Sequence, residues 1–131
     1  MAESEKHTLS KAERLNSLIL IEKLFSGGSR SLPAFPLRIV YMPIENDRFP
    51  CVSVLISVPK KRFKRAVKRN LVKRQIREAY RKNKSLLTDP LKACGKQAVI
   101  AFIWLDNNIY PTAEVEEKVK KLLQLTAERM Q

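Results

Sequence analysis

The stretch from Lys60 to Lys84 constrains this chain more than any other. It holds thirteen of the 26 Lys and Arg residues but only one of the 13 acids, Glu78. Neither Gly nor Pro interrupts it between Arg65 and Asn83. Leu71, Val72, Ile76 and Ala79 recur there at helical spacing. Arg69, Lys73, Arg77 and Arg81 recur at i, i+4, i+8 and i+12, beside Asn70 and Arg74. The spacing predicts a helix over about 65–83 with an apolar stripe turned to a core and a cationic row turned outward. At 1.5 Å per residue the row runs about 18 Å, enough to cross several backbone phosphates. Like charges at i, i+4 cost an isolated helix a few tenths of a kcal/mol per pair, roughly. Something outside the helix must offset that repulsion, and a phosphate backbone would.

The charge is a local device. The chain has a net charge of +13, but outside this block thirteen basic residues face twelve acidic ones. A 44% apolar content over 131 residues suits one folded domain with one core. The longest apolar run, Ala98 to Leu105, is too short to span a bilayer, and Met1 to Ser10 is polar with no secretory apolar region. A cytoplasmic protein with no membrane partner is expected. Cys51 and Cys94 lack CxxC spacing and the one histidine is His7, so two reduced thiols are expected and a zinc site, which needs about four ligands, is not. No paired-acid cluster, catalytic histidine or Gly-rich phosphate loop is present, so no catalytic and no metal-binding residue is assigned.

The other elements follow from local patterns. Residues 1–8 read as a flexible tail. Ser10 with Glu13 has capping-box spacing, and Leu15, Leu18, Ile19 and Phe25 continue a helix to about residue 25, stopped by Gly27-Gly28. Ser29 to Pro36 suits an edge strand. Leu37 to Met42 is β-rich and closed by Pro43, and Glu45 to Arg48 makes a polar turn. Cys51 to Val58 alternates, with Val52, Val54, Ile56 and Val58 facing a core and Ser53 and Ser57 on the face that could approach a ligand. Residues 84–96, containing Pro90 and Gly95, read as a loop. Ala98 to Leu105 reads as a strand buried on both faces. Pro111 suits the first turn of a last helix whose inner stripe is Val115, Val119, Leu122, Leu123 and Met130. The order α-β-β-β-α-β-α makes a single α+β domain with a mainly antiparallel four-stranded sheet.

A nucleic-acid partner follows from the density of the cationic row. Arg and Lys dominate it, with Asn70 the one obvious base-edge reader, so it suits phosphate and shape recognition. Folded RNA fits that better than the DNA major groove.

The residues here also resemble a known signature. Ser57-Val-Pro-Lys-Lys61, then Ala66-Val-Lys-Arg-Asn-Leu-Val-Lys-Arg-Gln-Ile-Arg-Glu78, resembles the bacterial ribonuclease P protein, with Arg69, Asn70, Lys73, Arg74, Arg77 and Glu78 where the pattern wants them. Leu71 stands in place of a family arginine, and Arg62-Phe63-Lys64-Arg65 replaces a family glycine after the lysine pair. The resemblance implies residues 9–131 as an RNA-binding domain resembling the second domain of ribosomal protein S5. It implies that the chain is the protein subunit of an endoribonuclease whose RNA subunit performs the chemistry with Mg²⁺, removing the 5′ leader of precursor tRNA. The implied partners are that catalytic RNA and precursor tRNA, with no obligate protein partner. Implied RNA-binding residues are Lys60, Lys61, Arg62, Arg65, Lys68, Arg69, Asn70, Lys73, Arg74, Arg77 and Arg81. Phe25, Tyr41, Ser57 and Lys61 are the implied leader-cleft residues, although core packing is an equal reading of Phe25 and Tyr41. The rival function is a ribosomal or other structural RNA-binding protein with no role in cleavage.

Overall fold

The computed structural model describes residues 24–25, 29–45 and 50–130. Strands β1 (Arg30–Ala34), β2 (Leu37–Ile44) and β3 (Val52–Ser57) are followed by helices α1 (Ala66–Asn83) and α2 (Ser85–Ala93). Strand β4 (Gln97–Trp104) and helix α3 (Thr112–Met130) complete the chain. Leu24 and Phe25 are helical; the rest of the expected first helix, the tail and most of the Glu45–Arg48 turn lie outside the described residues.

The four strands form one sheet in the order β1-β2-β4-β3. The β1–β2 and β2–β4 pairs are antiparallel and β3–β4 is parallel, so the sheet is mixed but mainly antiparallel, as expected. Strand β4 lies between β2 and β3, and Ala98 to Phe102 are fully buried along it. That explains its unbroken apolar run, because both faces of a central strand are covered here.

Alternation of side chains divides the core in two. On one face Leu37, Ile39, Val52, Val54, Ile100, Phe102 and Trp104 meet the three helices through Val72, Ile76, Tyr80, Leu87, Leu91, Val119 and Leu122. Tyr80 meets Phe102 edge-on, and Trp104 meets Tyr110 in the same way at 5.5 Å. On the second face Val40, Val99 and Ala101 are covered by Leu24, with Met42, Ile44, Leu55 and Ile103 at the margins.

Three expectations are corrected. Residues 85–93 form a helix, not a loop, despite Pro90 inside it. A proline there costs about 3 kcal/mol and removes the donor to the Leu86 carbonyl. Leu87 and Leu91, one turn apart and fully buried, outweigh it at roughly 1.5–3 kcal/mol each. The helix ends in a Schellman motif: Gly95 takes φ +67°, its N–H donates to the Lys92 carbonyl, and the Lys96 N–H reaches the Leu91 carbonyl at 2.8 Å. Secondly, Pro43 does not close β2 but pairs with Ala98 inside it. Pairing with β1 ends at Tyr41, so Pro43 lies where β2 has a free edge and the missing N–H costs nothing. Thirdly, Leu71 is off the buried stripe of α1, which runs through Val72, Gln75, Ile76, Ala79 and Tyr80. Pro111 lies one position before α3, and its carbonyl accepts the N–H groups of Glu114 and Val115.

Candidate nucleic-acid interface

Strand β3 is an edge strand, and the chain leaves it at Ser57 into a short basic loop that delivers α1 to the helix-covered face. The loop is built without the glycine of the family pattern. The Arg62 N–H donates to the Pro59 carbonyl at 3.0 Å, closing a turn, and Phe63 is buried in the main core as its anchor. Arg69, in the first turns of α1, reaches back and donates to the carbonyls of Phe63 at 2.8 Å and Lys64 at 2.9 Å. Loop and helix are thereby tied into one basic surface. Lys60, Lys61, Lys64 and Arg65 stand exposed on the loop.

The cationic row of α1 divides by environment. Lys68, Asn70, Arg74 and Arg77 are exposed, whereas Arg69, Lys73 and Arg81 are partly buried. Arg81 donates to both carboxylate oxygens of Glu78 and forms an ion pair with it, which holds the Glu78 carboxyl below its usual range and raises Arg81. Glu78 is thus an intrahelical partner of Arg81. Arg62 is half-buried and close enough to Asp106 to stabilise its carboxylate. Among the expected contacts, Lys60, Lys61, Arg65, Lys68, Asn70, Arg74 and Arg77 are therefore free to meet a phosphate backbone. Arg69 serves the loop first. Leu71 is 40% exposed and Val67, one turn before it, 78% exposed, so this outward surface carries an apolar spot.

A second surface opens around the β3 edge, on the sheet face opposite the helices. Leu24 covers its middle, and Phe25 beside it is 50% exposed. The row nearest the basic loop is left open: Arg38 pairs with Ile103, and Ile103 pairs with Ser57. Arg38 is exposed and the other two are half-buried. Ser53, on the same face, is fully buried and offers nothing to a ligand.

Tyr41 is not part of this surface, which corrects its expected place beside Phe25 and Ser57. It is 4% exposed and belongs to the helix-side core. Its rim lines a cleft with Arg30, Lys96 and Arg129 at the other end of the sheet. Neighbouring residues of a strand point to opposite faces, and Val40 and Met42 occupy the open face instead. The sequence reading also missed Arg38. Its alternation with Tyr41 was visible, but only the pairing with Ile103 shows which face it shares with Ser57.

Both thiols are free. Cys51 is partly buried with its sulfur near the carbonyls of Lys96 and Thr88, and burial pushes its pKa up; Cys94 is exposed. Among the described residues no group of three His, Cys, Asp or Glu side chains could hold a metal ion. No described helix is long and apolar enough to cross a membrane.

Comparison with known proteins gives one answer. The sequence model of the Ribonuclease P family matches residues 9–126. A protein from Porphyromonas gingivalis named ribonuclease P protein component is 44% identical over 115 residues, covering 88% of this chain and 83% of that protein. The protein of the same name from Chlorobaculum tepidum is 38% identical over 112 residues, covering 79% of this chain and 71% of its own. Among solved structures, the Staphylococcus aureus RNase P protein superposes with a TM-score of 0.68 at 21% identity, covering 88% of this chain and 96% of that one. The Thermotoga maritima protein gives 0.66 at 24% identity, covering 86% and 96%. These two share the fold.

Proposed function

Because this chain belongs to the ribonuclease P protein family, we propose that its basic loop and α1 ridge seat the catalytic RNA while its open sheet face holds the precursor-tRNA leader. It is a subunit of the endoribonuclease ribonucleoprotein that forms tRNA 5′ ends. The observation that carries the division of labour is the pair of surfaces meeting at the β3 edge. One offers exposed cations in a row with a single, already paired acid, the other a half-open sheet face beside an exposed aromatic.

The first surface neutralises phosphate charge. Each contact from Lys60, Lys61, Arg65, Lys68, Arg74 or Arg77 would release condensed counterions, so binding weakens steeply with salt. The second surface suits a flexible strand, whose bases can stack on an exposed ring such as Phe25 while Ser57 and Lys61 meet its backbone. Mature tRNA lacks that strand and gains nothing from it. The resemblance to the family implies Mg²⁺ held chiefly by RNA phosphates, where it would activate water and stabilise the leaving oxygen. The protein's part is to lower phosphate repulsion where the RNAs meet. The compartment that suits this work is the cytoplasm.

The test is reconstitution. RNA-free protein should leave precursor tRNA intact, and protein with its cognate RNA subunit and Mg²⁺ should release the leader at one position. Specific 5′ processing by nuclease-free protein alone, or none with the RNA subunit present, would overturn the reading. The second outcome would favour a structural RNA-binding role.

A further inference from the structure

The open row does not stop at β2. Pro33 of β1 pairs with Arg38, so Pro33, Arg38, Ile103 and Ser57 run side by side across all four strands on the second face. At about 4.8 Å between strands the row is about 14 Å wide. Beyond it the two-residue turn Phe35-Pro36 joins β1 to β2. The two turn residues have opposite fates. Pro36 is buried, and its carbonyl accepts the Leu105 N–H at 2.8 Å, pinning the turn to the end of β4. Phe35 keeps 59% of its surface in solvent and belongs to neither core cluster. The fold leaves that ring without packing work, in the turn that closes the Pro33–Arg38 and Ala34–Leu37 pairs, with Arg38 exposed three residues on.

An exposed aromatic beside a cation, on a rigid strand turn, is the pairing that sequence-tolerant single-strand binding uses: the ring takes a base face and the cation a phosphate. We propose that Phe35 and Arg38 form an outer station of the single-strand surface, where Phe35 stacks on a nucleobase and Arg38 holds a neighbouring phosphate of the 5′ leader. The station lies at the β1–β2 edge, across the sheet from the loop and helix that seat the catalytic RNA. It therefore receives leader nucleotides farther from the scissile bond than those over Ser57. The inference rests on the leader reading above and adds to it a length dependence and two residues.

The experiment uses the reconstituted holoenzyme with three ligands: precursor tRNA with a long leader, the same tRNA with a leader of two nucleotides, and mature tRNA. Phe35→Ser and Arg38→Gln should each weaken long-leader binding, Phe35→Ser by about fivefold or more, and leave the other two ligands unchanged. Phe35→Trp should keep wild-type affinity, because it preserves the stacking face. Phe35 and Arg38 are exposed, so each variant is expected to unfold at the wild-type temperature. Unchanged long-leader affinity in both variants, while Phe25→Leu still weakens it, would overturn the outer station and leave the leader reading intact. Equal losses for all three ligands would assign the two residues to the RNA subunit and also overturn it. A wild-type holoenzyme that binds all three ligands alike would remove the leader reading and the station together.

Discussion

The guanidinium of Arg69 donates 2.8 Å to the carbonyl of Phe63, so a residue of the cationic row is spent on holding the loop before it. The row read from sequence as one uniform phosphate contact surface is in fact a division between anchor and contact. Arg69 holds the loop that carries Lys60, Lys61, Lys64 and Arg65, while Arg74 and Arg77 stand on the exposed face.

The two kinds of arginine should separate in a salt titration. Arg74→Gln and Arg77→Gln are each expected to reduce the logarithmic salt slope of RNA binding by about 0.7–0.9, one phosphate contact each. Arg69→Gln should weaken binding with a smaller change of slope, because it frees a loop and removes no counterion-releasing contact. It should also lower thermal stability, since the Phe63 and Lys64 carbonyls lose a charged donor, a loss of roughly 1.5–3 kcal/mol for hydrogen bonds to charged groups. A full unit of slope lost at Arg69 with unchanged stability would make it a contact like the others.

The leader-cleft aromatics should part company as well. Tyr41 is buried in the helix-side core, so Tyr41→Leu is expected to cost about 1–3 kcal/mol of stability and to leave the ratio of precursor to mature tRNA affinity unchanged. Phe25 is half exposed beside the open face, so Phe25→Leu should lower that ratio with little loss of stability. Denaturation midpoints and binding of both tRNAs to the holoenzyme check both halves. A Tyr41 variant that is stable but selectively blind to the leader would put Tyr41 on the RNA side.

These two cases show what the sequence carried. The helix of 65–83, the alternation at Cys51 to Val58 and the unbroken strand at Ala98 to Leu105 were legible because each has a period or length that only one element satisfies. The longer part of the signature, Ala66 to Glu78, was legible because its residues lie on one continuous helix. Tyr41 and Arg38 were not, because the face a β residue occupies is set by its partner strand, and β2 pairs with β4, sixty residues away in the chain to within a few positions, roughly, rather than with β3. Helix α2 was missed because Pro90 and Gly95 are breakers by local rule, while the Leu87–Leu91 burial that overrides Pro90 is a tertiary fact. The tie between Arg69 and Phe63 has no signal in the pattern, since any arginine at that spacing reads as part of the cationic row.

Gly95 offers a clean test of the turn that ends α2. It sits at φ +67°, and a Cβ there would meet no atom within 4 Å. The cost of Gly95→Ala is therefore conformational alone, about 1–2 kcal/mol. Gly95→Asn should cost less, because asparagine tolerates the left-handed region better. Chemical denaturation of the three proteins checks the order Gly, then Asn, then Ala. A loss well beyond that range for Ala would mean the substituted side chain meets something in solution. RNA affinity should not change, because the site lies away from the basic loop.

The loop after β4 carries a pH dependence of definite sign. The Tyr110 hydroxyl donates to the Asp106 carboxylate at 2.5 Å, and Asn107 N–H and Asn108 Nδ2 donate to its other oxygen. These bonds, the Tyr110 one foremost, hold the Asp106 carboxyl below its ordinary value of 3.8, with the Arg62 charge adding to them, and the same bond raises Tyr110 above 10.0. A depressed carboxyl contributes stability that is present above its unfolded pKa and is lost as pH falls through the folded one. A raised phenol contributes stability that is present below its unfolded pKa and is lost as pH rises through the folded one. The pair is therefore fully stabilising between about pH 5 and 9. Asp106→Ala should lower the thermal midpoint across that window, and the gap to wild type should narrow well below pH 3.8. Tyr110→Phe should lower it in the same window with a narrowing at both limbs, while keeping the ring contact to Trp104. Thermal unfolding of the three proteins across pH is the measurement. A gap for Asp106→Ala that persists undiminished in acid would show that the protonated Asp106 side chain holds the loop as well as its carboxylate does, and that the charge is not what matters.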